Sequence, residues 1–114
     1  DPRNLLRFIK SFDHNLYGIN YDVGNSASLG YSIEKEFSLY GKYIKNIHLK
    51  DRLKNGPSVK FGNGNAKFRE FFNQLKKINY KGTLIFQSAR PIIKGNDLNE
   101  MKINLKYIDK IISN

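Results

Sequence analysis

The sequence predicts an α/β fold in which three parallel strands alternate with helices, and three observations carry that expectation. Strand-like alternation occurs in three short runs, at residues 17–22, 44–52 and 83–88, and apolar residues at helical spacing fill the stretches between them. Each strand run ends in polar side chains, as strands do when their C-terminal ends form a ligand-binding rim. No linker or low-complexity segment interrupts the order, so residues 1–114 read as one domain with right-handed crossovers.

Asp1-Pro2 opens the chain with a capping acid and a proline suited to the first helical position. Leu5, Leu6, Ile9 and Phe12 then recur at helical spacing and give the helix an apolar face. In the strand at 17–22, parity sends Ile19 and Tyr21 to one side and Asn20 and Asp22 to the other. The run from Val23 to Gly30 is built from small residues and reads as a loop that a backbone or a ligand can approach closely. Ser32 is placed to cap a short helix whose buried stripe is Ile33, Phe37 and Tyr40.

The second strand sets Ile44, Ile47 and Leu49 among Asn46, His48 and Lys50, and runs straight into Asp51 and Arg52. Lys54-Asn55-Gly56-Pro57 is a turn, and Phe61-Gly62-Asn63-Gly64 leads to Asn65, the expected cap of a strong helix. Phe68, Phe71, Phe72, Leu75 and Ile78 line one face of that helix. Lys81-Gly82 turns into the third strand, and a loop from Arg90 to Asn96 precedes the last helix. That helix has Asp97 as cap with Glu100 three residues on, and Met101, Leu105, Ile108 and Ile112 as its buried stripe.

Length and composition narrow the function classes. A chain of 114 residues suits one core, whereas a complete βα barrel takes roughly 250. The absence of cysteine excludes disulfide frameworks and thiolate metal sites. No apolar run approaches the roughly 18 residues of a membrane span and no leader opens the chain, so a soluble, cytoplasmic protein is expected. The formal charge of +10 would attract phosphate or nucleic acid, yet the lysines are spread over the helices and the aromatics fall on core faces. A solvated lysine surface is the better reading, with nucleic acid and membrane not expected as partners.

Asp22, His48 and Gln87 each stand at the C-terminal end of a strand, with the parity of that strand's polar residues. A carboxylate, an imidazole and a carboxamide converging from adjacent strands would suit a divalent ion such as Mn²⁺, Co²⁺, Zn²⁺ or Mg²⁺. The blander alternative gives Asp22 a helix to cap, His48 a satisfied place in the core and Gln87 a polar strand end.

The runs Asn20–Gly30, Ile47–Arg52, Gly62-Asn63-Gly64 and Gln87–Arg90 together resemble the C-terminal part of the sugar-phosphate isomerase/epimerase family, xylose isomerase-like TIM barrels. The resemblance covers nearly the whole chain, and its most specific part is the D-x-G-N and H-x-K-D runs in order. It implies the C-terminal part of a (β/α)8 barrel, with about three of the parallel strands. It also implies an isomerase or epimerase acting on a sugar or sugar phosphate through an enediol, with one divalent metal held by Glu, Asp, His and Glu. Asp22 and His48 match two of those ligands. Asn25, Lys50, Arg52, Gly62, Gly64 and Arg90 become candidate substrate contacts. Lys50 and Asp51 pairing at the surface, and glycines serving only the turn, are the plainer alternatives.

The departures matter. Gln87 stands at the place of the last Glu, the strand that would carry the first Glu is expected upstream of Asp1, and Lys67 replaces an acid. A carboxamide cannot exchange a proton near neutral pH as a carboxylate can. The chain by itself is therefore expected to be inactive, with its catalytic base unassigned and the remainder of the barrel or a second copy as its partner. A non-catalytic half-barrel binding module that dimerises is the alternative, because open sheet edges invite pairing. Apurinic endonuclease-like DNA repair is a further one, weakened by a content of only two histidines, of which His14 reads as a solvated loop residue.

Overall fold

The computed structural model describes residues 1–90 and 93–114; residues 91 and 92, within the loop expected between Arg90 and Asn96, lie outside them. Helix α1 (Pro2–Lys10) has Asp1 at its cap, the carboxylate accepting the Arg3 N–H at 2.7 Å, and Pro2 at its start. Strand β1 (Ile19–Asp22) leads directly into α2 (Val23–Leu29), where the sequence had read a loop. Val23, Gly24, Asn25, Ser26 and Ser28 have weak helix propensity, but Asp22 caps this turn and Gly30 closes it at φ 75°, so end effects decide the outcome. Helix α3 (Ile33–Tyr40) follows, with the Ser32 hydroxyl accepting the Lys35 N–H at 3.3 Å and with Ile33, Phe37 and Tyr40 buried.

A short 3-10 turn (Gly41–Tyr43) feeds β2 (Ile44–Leu49), which ends before Lys50. Asp51 and Arg52, expected to continue that strand, instead form β3 (Asp51–Arg52), paired antiparallel with β4 (Ser58–Val59) around the expected turn. Helix α4 (Phe68–Lys77) buries Phe68, Phe71, Phe72 and Leu75 as its spacing requires. Asn65 does not cap it; the Asn65 side-chain oxygen accepts the Lys54 N–H at 2.7 Å and is spent on the preceding loop. Strand β5 (Thr83–Phe86) and helix α5 (Asp97–Ser113) complete the chain, and Asp97 is the first residue of that helix rather than its cap.

The three long strands form a parallel sheet in the order β1-β2-β5, the arrangement produced by βα units. One face, carrying Ile19, Tyr21, Ile47, Leu49, Leu84 and Phe86, packs on the helices. The core is aromatic: Tyr21, Phe37 and Phe71 meet at 5.1–6.1 Å between ring centres, and Phe61 stacks between Phe68 and Phe86. The other face carries Asn20, Asp22, Asn46, His48 and Ile85. A register shift between Ile19 and Asn20 sets Asn46 beside Asn20, and their amides bond at 3.0 Å.

Helix α5 differs from the expected stripe. Leu105 and Ile112 are exposed, whereas Asn104 and Ile108 are buried with Tyr107 and Ile111 against the core. The inward face is rotated by about one residue, and the Asn104 side-chain oxygen buried there accepts the Phe61 N–H at 3.3 Å. No helix among the described residues is long and apolar enough to cross a membrane.

Candidate metal and sugar site

Asp22 ends β1 and caps α2, its Oδ1 accepting the Asn25 N–H at 2.7 Å. A Cβ at Gly24 would lie 2.8 Å from the Lys50 carbonyl oxygen, so only glycine lets α2 start against the end of β2. The second carboxylate oxygen, Oδ2, remains on the sheet face turned away from the core, with Lys50 Nζ at 4.0 Å. That separation is an ion pair rather than a hydrogen bond.

Parallel pairing sets Asp22 beside His48, and His48 beside Ile85. Neighbouring strands lie about 4.8 Å apart, so the carboxylate and the imidazole stand side by side on one face. Both are half-buried. The Gln87 N–H donates to the Leu49 oxygen at 2.9 Å and extends the pairing of β2 with β5 by one residue. Gln87 shares the parity of Ile85 but stands two residues beyond the Asp22–His48 level, a rise of about 7 Å. The three candidate ligands therefore share a face and are staggered along it.

Asn25 and Arg52 do meet. Arg52 Nη1 donates to Asn25 Oδ1 at 2.8 Å, while Nε and Nη2 donate to the Gly56 oxygen at 3.0 and 2.7 Å. This links the start of α2 to the β3–β4 hairpin. Lys50 pairs with Asp22, so the plainer alternative, a surface pair of Lys50 with Asp51, is not formed among the described residues.

Asp51 is 1% exposed and does other work. Its Oδ2 accepts the N–H groups of Gly62 and Gly64 at 2.9 and 3.0 Å, and its Oδ1 accepts that of Ala66 at 3.0 Å. A Cβ at Gly64 would overlap the Asp51 carboxylate. The amides of Gly62 and Gly64, candidate substrate contacts in the sequence, are thus turned to a carboxylate of the same chain. Arg90 lies apart, lining a cavity of about 460 Å³ with Lys60, Asn63, Glu100 and Asn104, in which Lys60 pairs with Glu100 at 3.1 Å. His14 is exposed, its ring 4.7 Å from that of Tyr43, in the loop before β1 and so at the opposite end of the strands from His48.

Sequence reasoning passed over Glu36. It is 2% exposed and accepts three hydroxyls: Tyr21 at 2.7 Å and Ser26 at Oε2, and Tyr40 at 2.7 Å at Oε1. Burial, and then the adjacent carboxylate, push the Tyr21 hydroxyl well above the ordinary phenol range. Tyr40 is raised likewise, by burial first and then by its hydrogen bond to Glu36. The signal was present: Glu36 falls between Ile33 and Phe37 on the apolar stripe, where an acid must find partners.

Among the described residues, no three His, Asp or Glu side chains gather as a metal site. A carboxylate oxygen and an imidazole nitrogen in register, with a carboxamide farther along the same face, fit part of a divalent ion's donor set.

The description "xylose isomerase-like TIM barrel" belongs to a family model that matches residues 1–111. An uncharacterized protein of Methanocaldococcus jannaschii is 29% identical over 102 residues, covering 85% of this chain and 35% of that protein. SgbU of Haemophilus influenzae, provisionally named an L-ribulose-5-phosphate 3-epimerase, is 37% identical over 73 residues, or 58% of this chain and 26% of that one. The chain thus spans about a third or less of the length of these relatives. Among solved structures, a xylose isomerase domain protein from Planctomyces limnophilus superposes with a TM-score of 0.78 at 24% identity, covering 97% of this chain and 41% of that one. A D-tagatose 3-epimerase-like protein superposes at 0.68 with 25% identity, covering 97% and 43%.

Proposed function

Because the chain belongs to the xylose isomerase-like TIM barrel family, we propose that it is the C-terminal part of a metal-dependent isomerase or epimerase of a sugar or sugar phosphate. The observation that carries the reading is the Asp22–His48 pair, in register on the side of the sheet turned from the core. The name of the Haemophilus influenzae relative adds support for a ketose phosphate as substrate. Asp22 Oδ2 and a nitrogen of His48 would hold a divalent ion, with the Gln87 carboxamide oxygen completing or orienting the site. The ion would supply Lewis acidity toward sugar oxygens. Lys50, beside Asp22, would limit the charge on the carboxylate and reach the substrate. Asn25 and Arg52, already bonded to each other, would contact hydroxyls or phosphate at the rim.

Proton transfer next to the carbonyl requires a base with a suitable pKa, and Gln87 cannot serve. The base and the other ligands would come from the remainder of the barrel, in a cytoplasmic protein. The test is deuterium incorporation from D₂O at the carbon beside the carbonyl of a ketose or ketose phosphate, with the full polypeptide after chelation and after Mn²⁺ is restored. Exchange that returns with Mn²⁺ and is lost in His48→Ala is expected. Equal exchange in chelator would overturn metal dependence.

A half-barrel binding module is the second reading. It is favoured by Gln87 at the last strand end and by the outer edges of β1 and β5, which have no neighbour within the described sheet.

A further inference from the structure

We infer that Glu36 is a positioning residue that sets the Asp22 carboxylate; the inference rests on the metal-site reading of Asp22. Asp22 lies between two residues that bond to a single oxygen. Tyr21, immediately before it on β1, and Ser26, four residues after it on α2, both donate to Glu36 Oε2. The strand and the helix that meet at Asp22 are therefore fastened to one buried atom on a third element, α3. The Asn25 N–H then fixes Oδ1 at 2.7 Å, and Oδ2 is left with Lys50 Nζ at 4.0 Å.

A carboxylate, rather than a hydrophobic residue, suits this position because its lone pairs take both hydroxyls at one oxygen and keep the other for Tyr40. Tyr40 belongs to the same helix as Glu36, so its bond steadies the Glu36 side chain but ties nothing to the Asp22 corner. The cluster thus contains its own control. Removing the Tyr21 or Ser26 hydroxyl releases the corner, whereas removing the Tyr40 hydroxyl costs the carboxylate a partner and leaves the corner fastened. Partners that orient a metal ligand typically change metal affinity 10–100-fold when they are lost.

The experiment compares Tyr21→Phe, Ser26→Ala, Glu36→Gln and Tyr40→Phe with the wild-type chain. Mn²⁺ affinity is read from the electron paramagnetic resonance of the free ion, and hydrogen exchange is read at the Asn25 amide. The first three variants should each weaken Mn²⁺ about tenfold and speed Asn25 exchange, while Tyr40→Phe should leave Mn²⁺ affinity within about twofold and Asn25 protected. Equal effects of Tyr40→Phe and Ser26→Ala would reduce Glu36 to a purely structural role and overturn the inference, as would four variants indistinguishable from wild type. If the wild-type chain binds no Mn²⁺, the metal reading fails by itself, and the Asn25 amide still decides whether Glu36 positions Asp22.

Discussion

Replacing Asp51 tests what the glycine loop is for. Its carboxylate accepts three backbone N–H groups at 2.9–3.0 Å and is 1% exposed, so no solvent replaces those bonds without the loop opening. Hydrogen bonds to a charged group contribute about 1.5–3 kcal/mol each, and a donor left without a partner adds its own desolvation cost. Asp51→Ala orphans all three donors and should cost at least about 4.5 kcal/mol, in the range reserved for broken buried networks. Asp51→Asn keeps one acceptor. With its oxygen toward Gly62 and Gly64, its NH₂ opposes the Ala66 N–H, and the loss should be about 2 kcal/mol. With a urea m-value of about 2 kcal/mol/M, the unfolding midpoint should fall by about 1 M for Asn and about 2 M for Ala. Two midpoints within about 0.2 M of wild type would refute the reasoning, because they would mean that the loop amides do not depend on Asp51. They would also return the Gly62 and Gly64 amides to candidacy as substrate contacts.

Other perturbations have equally direct outcomes. Gly24→Ala places a Cβ 2.8 Å from the Lys50 oxygen and should destabilise the chain by about 1–3 kcal/mol in thermal or urea unfolding; an unchanged midpoint would mean that α2 does not start against β2. Tyr21 and Tyr40 have hydroxyls raised above the unfolded value near 10, so the native state holds protons that the unfolded chain gives up above about pH 10. Stability should be unaffected by these groups below that pH and should fall above it by up to about 1.4 kcal/mol per pH unit for each tyrosine, with the slope reduced in Tyr21→Phe. A slope identical in wild type and Tyr21→Phe would contradict the assignment. Arg52→Ala removes the tie between Asn25 and the hairpin turn and should speed amide exchange at residues 53–56 with little loss of global stability; unchanged exchange would show that the guanidinium does not hold that turn.

The elements built on local rules could be read from the sequence. Asp1-Pro2 starts α1, Ser32 caps α3, and the stripes Ile33-Phe37-Tyr40 and Phe68-Phe71-Phe72-Leu75 are buried as spacing demands. Strand parity also placed Asp22 and His48 on one face, because side-chain alternation is a property of the backbone. What escaped depends on contacts distant in sequence. Residues 23–29 have weak intrinsic helix propensity and become helical through a cap at Asp22 and the close approach of Gly24 to Lys50. Asp51 looked like part of a charged rim because its partners, Gly62, Gly64 and Ala66, lie eleven to fifteen residues on. Asn104 is buried on α5 and bonds Phe61 across 43 residues, which no periodicity encodes. The stagger of Gln87 beyond the Asp22–His48 level likewise comes from inter-strand register, visible only once β5 is aligned on β2.

The most direct test of the site is a Mn²⁺ titration of the chain followed by nuclear magnetic resonance, because a bound paramagnetic ion broadens the signals nearest to it. Broadening centred on the Asp22 carboxylate and the His48 imidazole, reaching Gln87 and Lys50 and abolished in His48→Ala, is the predicted result. Broadening centred on other carboxylates, such as Glu100 or Asp109, with His48 left sharp, would contradict the assignment of Asp22 and His48 as the metal-holding pair.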